Sequence, residues 1–327
     1  MTGAAGHSWS AEAFDESLDR LRWAPRSWDA PSPGSVLVEV LAAGVGLPDS
    51  LMLQGVYPLV RRPPVTPGQE VCGRVVAVAE DSRFAVGDRV FGTTLFYAGS
   101  GSFATHAYVN ERNAAVVPES MSNEDAAGFM IGFRTAHTTL VVRAGLQPGE
   151  RVLVLGGAGG TGATAVQLAK ALGASVTAVA STPEKQQFCT DLGADSVVGR
   201  DADAIRAAGA DQGFDVIVDP VGGALASAAM SVIARYGRFA VVGFASGSWA
   251  DVDVLDMVGR NYSVLGVLAA GFTPEEDRAH TAELVALAEA GKLATPIAAV
   301  LGIDEAPAAI AALREGTRPG KFVLSAG

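Results

Sequence analysis

Cysteine is nearly absent: Cys72 and Cys189 are the only two in 327 residues. Two thiols cannot build a disulfide framework or a four-cysteine metal lobe, so both read as small buried hydrophobes. No apolar run approaches the roughly 20 residues a membrane-crossing helix needs. The first residues include early acidic positions and no basic stretch leading into an apolar one, so no secretory signal is expected and the expected compartment is the cytoplasm. Positive charge is also short, with 24 Lys and Arg against 35 Asp and Glu and a net charge of −11. Surfaces that bind nucleic acid are normally basic, which counts against that class of partner. Internal repeats and low-complexity tracts are missing as well.

What the chain has is apolar bulk and glycine. Hydrophobic residues make up 49%, enough for large cores, and the length has room for two domains of ordinary size. Residues 1 to about 34 are polar, with Pro25, Pro31, Pro33 and Gly34, and read as an irregular leader. From "SVLVEVLAAGV" to about Val117, short strands alternate with Gly and Pro turns ("GRVVAVAE", "GDRVFG", "FATHAYV"), an all-β style. Ser122 then caps a helix with Glu124 and Asp125 in its first turn. Strands are expected at 152–155, 175–180, 196–198, 215–218, 239–242 and 262–268. Helices are expected between them at 161–172, 184–191, 202–208 and 224–234. Alternation at this spacing predicts a doubly wound parallel sheet. A further helix, "EEDRAHTAELVALAEAG", precedes a final strand "KFVLS" that returns to the first domain.

The densest motif is "RVLVLGGAGGTGATAVQLAKALGASV", from Arg151. Gly157, Gly159 and Gly162 satisfy G-x-G-x-x-G, with Gly160 as an extra glycine and Ala158 and Thr161 between. A strand before, a helix after and a second strand beyond are the setting in which such a turn seats a dinucleotide pyrophosphate. The second strand ends "TAVASTPEKQQ", with no carboxylate at Ala180 or Ser181 to grip a ribose diol. Ser181, Thr182 and Lys185 offer hydroxyls and a cation instead, which suits a 2′-phosphate and favours NADP(H) over NAD(H). Arg200, after the third strand, either reaches the same phosphate or decorates the surface.

From Gly34 to its end the chain resembles the medium-chain dehydrogenase/reductases, in their zinc-independent quinone oxidoreductase and enoyl-thioester reductase branch. The segments that carry the resemblance, in order, are "GVGLPDSLMLQGVYP", "TPGQEVCGRV", "GDRVFG", "GSFATHAYV", "RTAH", "VLVLGGAGGTG", "FDVIVDPVGG", "VVGFASG" and "GKFVL". It implies an α/β protein with a GroES-like β-domain over 1–122, completed by 270–327, and a Rossmann NADP(H)-binding domain over 123–269. Zinc-dependent relatives place Cys and His where this chain has Gly46 and Gln69, neither of which binds zinc. Glu70 and an unpaired His106 make no site, so a metal-free enzyme is expected. The Tyr-x-x-x-Lys route of short-chain reductases is closed, because no tyrosine has a lysine four residues on.

The resemblance implies hydride transfer to a quinone or to an activated, α,β-unsaturated carbonyl or thioester. Tyr57 is the candidate proton donor, with packing in a proline-flanked turn as its bland alternative. Thr135, Gly243 and Phe244 are expected near the nicotinamide, Val267 to Ala269 at its carboxamide, and Lys321 reaching the cofactor from the last strand. Phe96 and Tyr97 line the substrate side or form a flexible aromatic loop. Arg61 and Arg62 offer a basic track for a thioester arm or are solvated charges. Two departures bear on specificity: Gly46 replaces the family asparagine, and His137 replaces a tyrosine. A homodimer through "YSVLGVL" is expected by analogy. A catalytically weak NADPH-binding protein is the reading from a different class.

Overall fold

Residues 3–327 are described by a computed structural model. They fall into two units. The first runs to Ile131 and takes in Phe272–Glu289 and Ile297–Gly327; the second comprises Gly132–Gly271 and Ala290–Pro296.

The first unit begins with an antiparallel hairpin, β1 (Ala4–Ser10) and β2 (Arg22–Trp28). The sequence reading left this stretch irregular because neither strand carries a β-branched run and Pro25 sits inside β2. Aromatic side chains hold the pair instead. The Trp9 and Trp23 rings lie 5.7 Å apart and His7 stacks on Trp23 at 5.8 Å. With only two strands, a missing proline amide at an edge is tolerated.

Next come β3 (Ser35–Val45), β4 (Glu70–Val78), β5 (Arg89–Thr93), β6 (His106–Asn110) and β7 (Ala115–Val116). β3 is apolar nearly throughout and buried on both faces, as its composition requires. It pairs with β4 on one edge and with β6 on the other, all antiparallel. Gly73 on β4 has to be glycine, since a Cβ there would lie 2.5 Å from Val38 Cγ2. The predicted cap forms: Ser122 Oγ accepts from Asp125 N at the start of the helix Asn123–Ala127.

The second unit is a single all-parallel sheet with helical crossovers. Its strands are β8 (Arg151–Val154), β9 (Ser175–Val179), β10 (Ser196–Val198), β11 (Phe214–Asp219), β12 (Ile233–Val241) and β13 (Ser263–Gly266). Their spatial order, β10-β9-β8-β11-β12-β13, is that of the doubly wound dinucleotide fold. The helices Gly160–Ala171, Pro183–Asp191, Ala202–Ala208 and Gly223–Met230 cross between consecutive strands. Two details differ from the sequence reading. The fourth helix stops at Met230 rather than 234, because Ile233 enters β12; and Val254–Arg260 forms a fifth helix that was not foreseen. The core of this unit gathers Leu153, Leu155, Ile217, Phe214 and Phe239, all essentially inaccessible to solvent.

The chain then returns to the first unit with the helix Pro274–Glu289, β14 (Ile297–Gly302), the helix Ala306–Glu315 and β15 (Lys321–Ser325). β15 pairs antiparallel with Ala42–Val45 of β3, beyond β6 on the same edge, and β14 lies parallel to β15. Val36, Val38, Val71, Val75, Phe103, Ile310 and Phe322 form the core here. Each fully buried side chain of this size contributes about 1.5–3 kcal/mol of burial. No helix among the described residues is long and apolar enough to cross a membrane.

The unit boundaries differ from the expected domains at three places, the smallest being Ala270 and Gly271, which fall in the second unit. Asn123–Ala127 packs on β3, β4 and β15, so 123–131 belongs with the first unit. Residues 290–296 belong with the second, where Gln167 Nε2 donates to the Ala294 carbonyl and the Ala294 amide donates to Gln167 Oε1, each at 3.0 Å. Gln167→Ala removes both bonds, a local loss of about 1 kcal/mol each. The expected result is faster hydrogen exchange at the Ala294 amide, by about fivefold or more, with exchange in β8 and β11 unchanged.

Candidate active site

In an all-parallel sheet the carboxyl ends of the strands share one edge, where open α/β folds bind their ligands. Every cofactor residue expected in the second unit, Thr135 apart, follows a strand at this edge. Past β8, Gly156 takes φ +60° and turns the chain so that Gly162 comes against the Gly156 carbonyl. A Cβ on Gly162 would lie 2.1 Å from that oxygen, and one on Gly157 would lie 2.9 Å from Ala178 Cβ. Gly159 has room for a side chain; its place is the N-cap of the helix Gly160–Ala171. No side chain caps that helix, and its first intrahelical bond is Ala163 N to Gly159 O at 2.8 Å. The leading amides around Gly160, Thr161 and Gly162 are therefore left without backbone partners, beside the buried Ala158. Such amides and the helix dipole favour an anion.

Ser181 and Thr182 follow β9 and are exposed. Thr182 Oγ1 accepts from Lys185 N at 3.3 Å, capping Pro183–Asp191 and fixing the turn that carries the lysine. Arg200 follows β10, exposed. Gly243 and Phe244 follow β12; the Gly243 amide donates to Asp219 O at 3.2 Å, and the Phe244 ring lies 4.5 Å from Trp249. Val267 and Ala269 follow β13, with Val267 N on Val241 O at 3.0 Å. Thr135 is half-buried on the helix Met130–His137. A Cβ on Gly132 of that helix would meet Thr164 Cγ2 at 2.8 Å, so it packs directly on the helix after the glycine turn.

One organising residue was missed. Asp219, at the end of β11, is fully buried; its Oδ1 accepts from Val221 N at 2.9 Å and Gly222 N at 2.7 Å. Its main-chain oxygen holds Val242 and Gly243. Burial pushes its carboxyl above the usual range. The sequence signal, "FDVIVDPVGG", had served only as a landmark.

The first unit holds a separate cluster around Tyr57. Gln69 Nε2 donates to Tyr57 Oη at 3.0 Å, so the phenol oxygen accepts there and its own hydrogen is directed elsewhere. Burial, opposed by the Gln69 bond, pushes the Tyr57 pKa upward, and the phenol keeps its proton at neutral pH. Its ring lies 6.3 Å from Phe96, which meets the exposed Tyr97 edge-on at 5.7 Å. Asp49 is buried, with Oδ2 accepting from Gly46 N and Oδ1 from Gly68 N, both at 2.8 Å. Burial pushes its carboxyl up to about 6, despite both amides and the nearby Lys321.

Glu70 Oε2 accepts from Ile131 N at 2.8 Å, while Oε1 pairs with Lys321 Nζ. Lys321 is thus engaged in a buried ion pair inside the first unit. A Cβ on Gly46 would sit 3.7 Å from Lys321 Nζ. Among the described residues, no group of three or more His, Cys, Asp and Glu gathers where it could hold a metal. His106 Nδ1 lies 3.1 Å from Thr105 Oγ1 and its ring packs on Trp28; His137 is buried in its helix. Burial pushes the thiols of Cys72 and Cys189 up to about 12 and about 11, so both are inert.

Residues 32–119 match the alcohol dehydrogenase GroES-like domain, and residues 160–288 match the zinc-binding dehydrogenase family. Human quinone oxidoreductase is 30% identical over 300 residues, 90% of each chain. The mycoketide-CoA synthase of Mycobacterium tuberculosis is 34% identical over 303 residues; the match spans 90% of this chain and 7% of that protein. Among solved structures, a mycobacterial protein complexed with NADPH superposes with TM-score 0.88 at 28% identity, over 98% of this chain and 99% of that one. The CurK enoyl reductase gives 0.83 at 26% identity, with the same coverage. The chain belongs to the medium-chain dehydrogenase/reductase superfamily, in its quinone oxidoreductase and enoyl reductase branch.

Proposed function

We propose that the protein is an NADPH-dependent reductase that delivers hydride to a quinone or to an α,β-unsaturated carbonyl or thioester, without a metal. The observation that carries this reading is the glycine turn, where the closest approach leaves no space for a Cβ and the helix above it has no side-chain cap. A pyrophosphate fits that cradle, and the relatives include a quinone oxidoreductase and a neighbour bound to NADPH. Ser181, Thr182 and Lys185 would take the 2′-phosphate, which an aspartate at the strand end would repel. Thr135, Gly243, Phe244, Val267 and Ala269 are assigned to the nicotinamide end. Lys321 is assigned to support rather than to the cofactor, because its ammonium is committed to Glu70.

NADPH, when bound, supplies the hydride. The chain's own residues position it, exclude water and furnish a proton to the oxygen or the α-carbon that becomes electron-rich. Tyr57 is the donor: Gln69 occupies its oxygen lone pair, which leaves the phenolic hydrogen for the acceptor, and solvent restores the proton afterwards. The metal-free part of the reading is supported by Gly46, which has no side chain, and by Gln69, whose amide is spent on Tyr57. The homodimer would form through the outer strand β13, near which Leu255 and Leu268 are 81% and 61% exposed.

Consumption of NADPH with a benzoquinone and with a trans-2-enoyl thioester tests this directly. Tyr57→Phe is expected to lower kcat for the thioester by about 10²–10⁴-fold, the usual worth of a positioned acid. Quinone turnover should change far less, because its oxygens take protons readily from water. An unaffected thioester rate removes Tyr57 from the chemistry; NADPH binding without turnover of either acceptor overturns the reductase reading.

The raised Asp49 pKa gives a pH signature. Its folded value of about 6 exceeds the ordinary 3.8, so the folded state holds this proton more tightly. That contribution is present in full below about pH 4 and is lost as the pH rises through about 6. Two pKa units correspond to about 3 kcal/mol. Denaturant unfolding of Asp49→Asn, which cannot titrate, should therefore lack this decline. Parallel stability curves for the two proteins across the window would show that Asp49 is not protonated there.

A further inference from the structure

We propose that Phe14, on the segment joining β1 to β2, is a positioning residue for Tyr57: it holds the turn that carries the phenol and so governs proton donation without touching the acceptor. This rests on Tyr57 being the proton donor of the reaction above.

Residues 11–21 lie outside the stretch that matches the GroES-like domain and belong to no helix or strand. Their sequence, "AEAFDESLDRL", has Phe14 as its one aromatic side chain. Backbone and side-chain ties fasten this segment to the part of the chain that leads into Tyr57. Ala11 N donates to Val65 O at 2.9 Å, and Val65 N donates back to Ala11 O at 3.0 Å. Asp15 N donates to Leu53 O at 2.8 Å, at the end of the helix Leu47–Leu53. Arg314, from the helix Ala306–Glu315, donates through Nη1 to Glu16 O at 2.9 Å and through Nε to the buried Ser50 Oγ at 2.6 Å. One guanidinium thus clasps the segment and the helix Leu47–Leu53 together. Leu21 closes the segment by entering the core of the unit.

These ties set Phe14 down on Gly55. A Cβ on Gly55 would sit 2.6 Å from Phe14 Cδ2 and 2.7 Å from its Cγ, so the ring takes the space of a side chain there. Gly55 has φ +74°, the left-handed conformation that ends the helix and sends the chain into Tyr57. Few bonds hold the turn itself. Val56 N and Tyr57 N both donate to Leu51 O, at 3.1 and 3.2 Å, and Val60 N donates to Tyr57 O at 3.1 Å. Glycine has the widest choice of other conformations, so the ring resting on it limits how the turn can move. Phe14 and Tyr57 also pack against one buried group, Met52, Val60, Val65 and Phe96. The phenol is therefore fixed at both ends, its oxygen by Gln69 and its ring by this packing. A proton donor must lie within about 3 Å of its target, and a misplacement of about 1 Å costs on the order of 10²-fold. Phe14 acts on that step and leaves hydride delivery alone.

The test measures kcat and KM for the trans-2-enoyl thioester and for benzoquinone in Phe14→Ala, in Tyr57→Phe and in the double variant. Phe14→Ala should lower kcat for the thioester by about tenfold or more, with its KM and the benzoquinone rate within about twofold of native. Added to Tyr57→Phe, it should have no further effect, because no donor is left to position. Hydrogen exchange at the Tyr57 and Val60 amides should quicken by about fivefold or more, with β3 and β4 exchanging as in the native protein. Phe14→Leu, which keeps apolar bulk over Gly55, should give a smaller loss of the same kind.

Equal losses on both acceptors, a loss that adds in full to that of Tyr57→Phe, or unchanged kinetics in Phe14→Ala overturns the proposal. Where Phe14→Ala fails to fold, Phe14→Leu carries the comparison: a loss confined to the thioester supports the proposal, and equal losses overturn it. If Tyr57→Phe itself leaves the thioester rate unchanged, the donor assignment fails and the proposal with it. If Tyr57→Phe collapses that rate and Phe14→Ala does not, the donor stands and only the role of Phe14 is removed.

Discussion

The approach of Gly162 to the carbonyl of Gly156 is the constraint on which the second unit is organised. At that spacing any side chain would collide, so strand, turn and helix can close only because both positions are glycine. The same turn is pinned sideways by Gly157 N on Val179 O at 3.0 Å, which ties β8 to β9 at their carboxyl ends. Closing the turn leaves the helix N-terminus at the rim of the sheet with no side-chain cap among the described residues, a concentration of positive partial charge. The neighbouring loops are then set by similar means. Thr182 caps the next helix, and Asp219 gathers two amides with its carboxylate and two with its carbonyl.

The first unit builds its cluster by another logic, in which buried charges fix the backbone around a neutral phenol. Asp49 joins the chain leaving β3 to the chain entering β4 through the amides of Gly46 and Gly68. Glu70 and Lys321 tie the first residue of β4 to the first residue of β15. Such a pair contributes little net stability after desolvation, but losing either partner strands a buried charge. Between these anchors, Gln69 is aimed at Tyr57. Where zinc-dependent members of the superfamily place ligands, this chain has a bare glycine and an amide already engaged with a phenol.

Much of the second unit was legible in the sequence because its rules are local. Short aliphatic runs spaced by helical segments specify a parallel sheet, and the glycine pattern specifies the turn within seven consecutive residues. The first unit was less legible because its contacts are not local. Nothing in "AAGHSWS" or "RWAPRSW" announces a strand until Trp9 meets Trp23 and His7 meets Pro25. The ion pair of Lys321 with Glu70, a partner from the other end of the chain, is not legible in the sequence. Gln69 was read for the metal it cannot bind, and its hydrogen bond to Tyr57 appears only once the intervening loop is folded. Phe14 meets Gly55 although neither segment hints at the other.

The most direct test is the pair of dissociation constants for NADPH and NADH, measured by calorimetry on the native protein and on Gly162→Ala. If the turn seats the pyrophosphate and the Ser181–Thr182–Lys185 set takes the 2′-phosphate, NADPH should bind about tenfold or more tightly than NADH. Both should be lost in the variant, whose turn can no longer close, while hydrogen exchange in β3 and β4 of the first unit stays as in the native protein. Equal affinity for the two cofactors, or undiminished binding by a folded Gly162→Ala protein, would contradict that reading.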